Sequence, residues 1–251
     1  MKSIERTKWL RRARPMMGTL VDIGVLDGGA RSEEMIRSSF NVFCEIQACL
    51  SRFEAGSDIS RFHALTAGKS MQVRSHTANV LAAAHSLHEA SDGLFDITLR
   101  SSPEGWRCEG THLHKLRGEV RLDLGGIGKG YAVDTAVKTL IAAGCEAGWI
   151  NAGGDLRAFG PVRLPVSLRD EATGGVRAFA TLSDGAFATS RFDGDSRSRA
   201  THAPGGRPVR AHASVAAPLC MWADALTKIV AISGNASHPL LSRHGAQAWL
   251  H

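Results

Sequence analysis

Hydrophobic positions recur along this chain with two periods, and the switches between them outline its elements. Leu20 to Leu26 alternates apolar residues with Asp22 and Gly24, which predicts a strand. From Glu33 to Leu50, Ile36, Phe40, Phe43, Ile46 and Leu50 fall at helical spacing, which predicts a long amphipathic helix. Ala55-Gly56-Ser57-Asp58 reads as a turn, with Ser57 or Asp58 capping a short helix through Leu65. A second helix is expected from Thr77 to Ala90, with Val80, Ala84 and Leu87 on one face, stopping at Asp92-Gly93. Residues 101–119 follow neither period and are expected to be irregular.

A strand is expected over 119–124, then a glycine-rich turn, then a helix to about Ala143 that buries Val133, Val137, Leu140 and Ile141 and ends at Gly144. Strands over 147–151 and 156–159 flank Ala152-Gly153-Gly154-Asp155, and strand-like runs follow at 162–168, 176–182 and 186–190. Residues 191–210, rich in Arg, Gly, Ser and Asp, are expected to form a mobile loop. A strand over 213–217, a helix over 221–233 and a strand over 246–250 complete the chain. This mixed order, with hairpin-like strands clustered between 145 and 190, predicts an α+β fold. No repeat or linker separates two halves.

The turn before the 128–143 helix carries the strongest chemical signal. In Arg121-Leu122-Asp123-Leu124-Gly125-Gly126-Ile127-Gly128-Lys129-Gly130-Tyr131-Ala132-Val133-Asp134, four glycines and a lysine stand between an apolar run and an amphipathic helix. Such a turn lets backbone amides approach a phosphate, and the helix N-terminus favours its charge. The spacing excludes the two common versions. A Walker A loop requires glycine where Asp123 stands and Ser or Thr where Gly130 stands. The dinucleotide fingerprint G-x-G-x-x-G is not matched by the alternating Gly126, Gly128 and Gly130. An anionic, nucleotide-like ligand and a glycine turn without a ligand both remain open on this segment alone.

Composition narrows the classes. With 251 residues, 43% of them hydrophobic, the chain is long enough for a substantial core and reads as soluble and globular. Its net charge of +6 invites a nucleic-acid reading, but the basic residues are dispersed except near the N-terminus. Aromatics make up only 6%, too few for a stacking platform. Cys44, Cys49, Cys108, Cys145 and Cys220 show no framework spacing, which fits reduced thiols in the cytoplasm. Met1 to Arg14 is charged and carries no apolar signal segment, and no run is long enough to span a membrane, so a cytoplasmic location is expected.

Among candidate chemical groups, Asp96, Asp123, Asp155 and Asp224 stand at turns or helix starts, where a carboxylate ordinarily caps. Asp224 has more context. If its helix buries Trp222, Leu226, Ile229 and Val230, then Asp224, Thr227 and Lys228 share another face. A carboxylate one turn from a hydroxyl can hold Mg²⁺ with a phosphate bridging it. The plainer alternative, favoured on this segment alone, is an Asp224–Lys228 ion pair worth about 0.3–0.5 kcal/mol. His112 and His114 lack the partners of a zinc site.

Several segments together resemble the FAD:protein FMN transferase family, the ApbE type. Arg14-Pro15-Met16-Met17-Gly18-Thr19 is similar to its M-G-T start. Leu50-Ser51-Arg52-Phe53 with Ser57-Asp58-Ile59-Ser60-Arg61-Phe62, and Gly93-Leu94-Phe95-Asp96-Ile97-Thr98, resemble two further segments. The glycine-lysine turn looks like the family's central block, Asn151-Ala152-Gly153-Gly154-Asp155 matches N-x-G-G-D, and Ala223-Asp224-Ala225-Leu226 matches A-D-A-L. The resemblance spans residues 14 to about 250.

It implies a single compact α+β domain with a T-fold-like core over 14–251, preceded by a basic extension over 1–13. It implies cleavage of FAD as substrate with Mg²⁺, release of AMP, and transfer of FMN to a Ser or Thr hydroxyl of an acceptor flavoprotein. Met17, Phe53, Leu94, Phe95, Asp96, Asp123 and Lys129 would line the FAD site, Asp224 and Lys129 would serve catalysis, and the Gly126 carbonyl and Asp224 would hold the metal.

The chain departs from that pattern in three places. Phe53 replaces a flavin-stacking tyrosine and keeps the ring. Arg199-Ala200-Thr201-His202-Ala203-Pro204-Gly205-Gly206 lacks the His and Asp of the family's corresponding block. Lys228 stands where a third metal ligand, a threonine, is expected. Thr227, the hydroxyl that remains as a candidate ligand, is one step away, a turn of about 100°. A cation at position 228 either pairs with Asp224 and competes with Mg²⁺ or contacts the pyrophosphate itself. The alternative to a transferase is an FAD-binding module of the same fold with little or no transfer.

Overall fold

The computed structural model describes residues 8–26, 29–169, 174–191 and 212–251. β1 (Trp9–Met16) and β2 (Thr19–Leu26) form a hairpin closed by two residues. Met17 and Gly18 both take positive φ, 51° and 73°, which matches the right-handed twist of the flanking strands. The expected boundary between a basic extension and the domain, at residues 13 and 14, falls inside β1. Its arginines are tied down there, Arg11 Nε donating to Asp22 Oδ1 at 2.8 Å.

α1 (Ala30–Leu50) buries the predicted stripe of Ile36, Phe40, Phe43, Ile46 and Leu50. α2 (Asp58–Ala64) is capped by Ser57, whose Oγ accepts from Ser60 N at 3.0 Å. β3 (Ser70–Gln72), α3 (Ser75–Ala90), β4 (Trp106–Glu109) and β5 (His112–Lys115) follow, the three strands forming a small sheet in the order β3-β5-β4. The expectation for 101–119 is therefore corrected, because it contains a hairpin. Charged and imidazole side chains on β4 and β5 hide the alternation that Leu113 and the buried Lys115 keep.

The strand expected over 119–124 is absent, although Val120, Leu122 and Leu124 do bury alternately. The amides of this extended segment bond to non-ladder partners: Leu122 N to His63 Nε2 at 2.9 Å and Asp123 N to Ile97 O at 2.7 Å. Alternation records which side faces the core, not whether a strand lies alongside.

The remaining elements are α4 (Gly128–Ala142), β6 (Gly148–Ala152), β7 (Asp155–Phe159), β8 (Leu164–Arg169), β9 (Val176–Leu182), β10 (Gly185–Ser190), β11 (Ala213–Ala217), α5 (Cys220–Ser233), α6 (Pro239–Arg243) and β12 (Gln247–Leu250). Seven strands make one antiparallel sheet in the order β1-β2-β6-β7-β10-β11-β12. α1, α4 and α5 pack side by side on one face of it. Small residues on β10 and β11, among them Ala186, Ala188 and Ala213, let α5 come close, while Phe187 points the other way into a second cluster beneath the β8–β9 ribbon. The fold is α+β, as expected. The loop expected over 191–210 lies outside the described residues apart from Arg191. No helix among the described residues is long and apolar enough to cross a membrane.

Candidate active site

α4 and α5 touch at their N-terminal ends, and glycine makes that contact possible. A Cβ on Gly130 would lie 2.4 Å from the Cys220 carbonyl oxygen and 2.7 Å from Met221 Cα. Neither helix is capped by its own N-cap side chain, since Ile127 and Leu219 hold those positions. Each cap comes from the other helix. Asp134 of α4 accepts from Cys220 N and Met221 N, both at 2.9 Å, and from Arg157 Nη1 at 2.7 Å. Asp224 of α5 accepts from Gly130 N at 3.4 Å. Carboxylates so placed satisfy orphan amides and complement the helix dipoles.

Around Asp224 lies a buried cluster of four charged side chains. Lys228, one turn on, donates to Asp224 Oδ1 and, at 2.9 Å, to the Asp224 carbonyl oxygen. Lys129 pairs with Asp155, the first residue of β7, and its Nζ stands 3.6 Å from Asp224 Oδ2. Side-chain exposure is 0% for Asp224, 6% for Asp155 and 10% for Lys228, against 26% for Lys129, so Lys129 is the member an incoming ligand meets.

Burial opposes the charge on Lys129, but the nearby Asp155 and Asp224 carboxylates overcome it and raise its pKa above the usual lysine value. Burial also works against ionised Asp224, yet Lys129 and Lys228 hold it below the usual carboxylate range. Asp155 goes the other way, lifted by burial and by the charge of Asp224. Burial and the same carboxylates push the Cys220 thiol well up, which removes it as a nucleophile.

The segment Asp123–Gly126 connects this cluster to an open cleft of about 360 Å³, lined by Arg52, Phe53, His63, Thr98, Leu99, Arg121, Leu122 and Asp123. Asp123 closes the turn by accepting from Gly125 N at 2.8 Å and faces Arg52 Nε at 3.5 Å. Phe53 is 82% exposed at the cleft, with the Arg52 guanidinium 4.4 Å from its ring centroid. His63 is held neutral: burial and the charges of Arg121 and Lys115 lower its pKa, and its Nε2 accepts the Leu122 amide. An exposed ring, two guanidinium groups, a helix N-terminus and a lysine suit a ligand that has both a flat ring and phosphates.

The structure brings Lys129 and Asp224 together and sets Phe53 and Asp123 in the cleft. Met17 sits in the β1–β2 turn, donating its amide to Gln47 Oε1 at 2.7 Å, and Leu94 packs partly buried on the core. Phe95 is buried beside Gly126, where an added Cβ would lie 3.7 Å from Phe95 Cε2 and 3.2 Å from Lys228 Cε. Asp96 does not line the cleft. Its carboxylate accepts from Thr98 N at 2.8 Å and Arg100 N at 2.9 Å, holding a turn in which Leu99 and Arg100 take positive φ.

Two expectations for α5 are corrected. Trp222, expected to be buried, is only half-buried, and Asp224, Thr227 and Lys228 are all buried, because α5 packs against both α4 and the sheet. Thr227 is not placed as a metal ligand, since its hydroxyl donates to the Asp224 carbonyl at 2.7 Å and meets Ser190 Oγ at 2.7 Å.

The groups present do not fit Mg²⁺. Asp224 Oδ1 is held by Lys228, Oδ2 faces Gly130 N and Lys129, and the Lys228 stem lies against Gly126. A hard divalent ion needs a near-octahedral set of oxygens, and ammonium groups hold these ones. Among the described residues no group of three or more His, Cys, Asp or Glu is placed to hold a metal ion.

Sequence reasoning gave no roles to Asp134, Arg52, His63 and Arg121, and read Asp155 only as a turn residue. Asp155 was signalled by the N-x-G-G-D block and Arg52 by its place beside Phe53. Nothing in the spacing connects His63 to Leu122.

Comparison with known proteins gives a consistent neighbourhood. The sequence model of the ApbE family matches residues 17–116 and 105–250. An FAD:protein FMN transferase of Vibrio cholerae serotype O1 is 24% identical over 268 residues, covering 88% of this chain and 80% of the relative. A protein of the same name from Haemophilus influenzae is 25% identical over 193 residues, covering 62% of this chain and 56% of the relative, little over half its length. The solved structure of flavin transferase ApbE from Vibrio cholerae superposes with a TM-score of 0.84 at 22% identity, covering 97% of this chain and 93% of the other. The ApbE protein of Thermotoga maritima gives 0.80 at 20% identity, covering 97% and 94%. At these identities the structural likeness concerns the fold.

Proposed function

This chain belongs to the ApbE family, and from that premise we propose that it is an FAD:protein FMN transferase acting on a Ser or Thr hydroxyl of an acceptor flavoprotein. The observation that carries the reading is the meeting of Lys129 with Asp155 and Asp224 at the N-terminus of α4, one turn of chain from an aromatic and cationic cleft. The relatives named FAD:protein FMN transferase support the same assignment.

In this reading the flavin ring stacks on the exposed Phe53, and the pyrophosphate lies toward the α4 N-terminus and Lys129. The acceptor oxygen bonds to the FMN phosphorus as its proton passes to solvent, and the bond from that phosphorus to the bridging oxygen breaks. AMP departs with the oxygen. Lys129 faces the phosphoryl oxygens where negative charge concentrates. Asp155 and Asp224 are positioning residues that hold its ammonium in place. Mg²⁺, implied by the resemblance, has no step here, because the groups around Asp224 do not suit it.

The test is incubation of the purified protein with FAD and a peptide carrying an acceptor threonine. The expected result is FMN covalently bound to the peptide and an equal amount of AMP. Bound FAD with neither product would leave an FAD-binding module of this fold, and failure to bind FAD would defeat both readings.

A further inference from the structure

Lys228 runs between the two groups from which a metal would draw its ligands. Its stem passes Gly126, with Cε 3.2 Å from where a Cβ on that glycine would be, and its ammonium ends on Asp224 Oδ1 and, at 2.9 Å, on the Asp224 carbonyl oxygen. We propose that Lys228 is the resident cation of the FAD site and takes the place of a divalent metal, so that this protein binds FAD independently of Mg²⁺. The proposal rests on the FAD reading above and concerns how that site balances its charge.

Three observations support it. The cluster already holds an ammonium for each carboxylate, Lys129 on Asp155 and Lys228 on Asp224. A divalent ion added at Asp224 would face both ammonium groups at short range, where repulsion in a buried site is strong. Thr227 is committed to Ser190 and to its own helix, and it faces the sheet side of α5 instead of the cluster. Lys228 itself is almost enclosed, at 10% side-chain exposure, so little water competes for its charge. By neutralising Asp224, as Lys129 neutralises Asp155, Lys228 keeps that carboxylate from repelling a pyrophosphate.

The test has two arms. In the first, FAD binding is followed by quenching of flavin fluorescence in EDTA and across a Mg²⁺ titration. Wild-type protein should bind equally well throughout. Lys228→Thr should bind about tenfold more weakly in EDTA and recover as Mg²⁺ is added. In the second, Mn²⁺ binding to the FAD-free protein is measured by electron paramagnetic resonance. Wild type should show no tight site, and Lys228→Thr should gain one. A wild-type protein that needs Mg²⁺ to bind FAD, or that holds Mn²⁺ as tightly as Lys228→Thr, overturns the proposal. If Lys228→Thr does not fold, by its melting curve, the wild-type measurements in both arms still decide. A wild type that binds no FAD in either condition overturns the FAD reading, while the Mn²⁺ arm continues to report on the resident cation.

Discussion

Asp134 and Asp224 cap each other's helices. Asp134, on α4, accepts the Cys220 and Met221 amides that begin α5, and Asp224, on α5, accepts the Gly130 amide near the start of α4. The two N-termini are thereby locked together, and Lys129 in the first turn of α4 is aimed at Asp155 across the junction. The stability of this corner and the geometry of the candidate active site are therefore coupled.

Replacing Asp134 separates the two. Asp134→Asn keeps the shape but cannot accept at both positions, and it leaves the Arg157 guanidinium without its carboxylate. The expected cost is about 3 kcal/mol, between a lost cap and a broken buried pair. Urea denaturation measures it, and a loss below about 0.5 kcal/mol would mean that the amides find other partners.

Two glycines of the same turn should respond differently to alanine. Gly130→Ala drives a methyl group into the Cys220 backbone at 2.4 Å, which neither helix can relieve, and should cost about 1–3 kcal/mol. Gly126→Ala meets the Lys228 stem at 3.2 Å and makes only ordinary contact with Phe95 at 3.7 Å, neither of them backbone, and should cost less than Gly130→Ala, under about 1 kcal/mol. Thermal melts of both variants are the check, and equal shifts would contradict the close approach of α4 and α5.

The cleft and the lysine should divide binding from turnover. Phe53→Ala removes an exposed ring, so the melting temperature should hold while the FAD dissociation constant rises about three- to tenfold. Phe53→Tyr should restore affinity. Lys129→Met should lower kcat for FMN transfer by about 10²–10³-fold. A larger loss of FAD affinity in Lys129→Met than in Phe53→Ala, with kcat unchanged, would reverse these roles.

His63 sets a pH dependence of stability. Its folded-state pKa lies below the ordinary 6.5 because of burial and the charges of Arg121 and Lys115. The unfolded chain then binds the extra proton first, so this contribution is complete above pH 6.5 and is lost as pH falls from 6.5 toward the folded value. His63→Gln, which retains an acceptor for the Leu122 amide, should lose less stability than wild type between pH 7.5 and 5.5. Urea midpoints at the two pH values test this, and parallel losses would remove His63 as the cause.

Most elements of this fold were legible from periodicity because their apolar residues follow one period without interruption. The α1 stripe from Ile36 to Leu50 and the paired runs at 147–151 and 156–159 are examples. Legibility failed where polar residues were buried or where an extended segment lacked a strand partner. Lys115 is 1% exposed, so polarity concealed β5, while Leu122 and Leu124 alternate like a strand whose amides bond to His63 and other non-ladder partners.

The sequence by itself determined the α+β class, the glycine-lysine turn and the resemblance that connects that turn to Asp155 and Asp224, because local periodicity and motif order are properties of the chain. Only the tertiary structure decided what surrounds Asp224. α5 is buried all round from Ala223 to Ala231, and its polar residues there are buried with it. The enclosure turned Thr227 toward Ser190 and committed Lys228 to the carboxylate. An ion pair that would be a minor surface contact on an exposed helix is here a buried charge that must be balanced, and burial is set by packing between elements far apart in the chain.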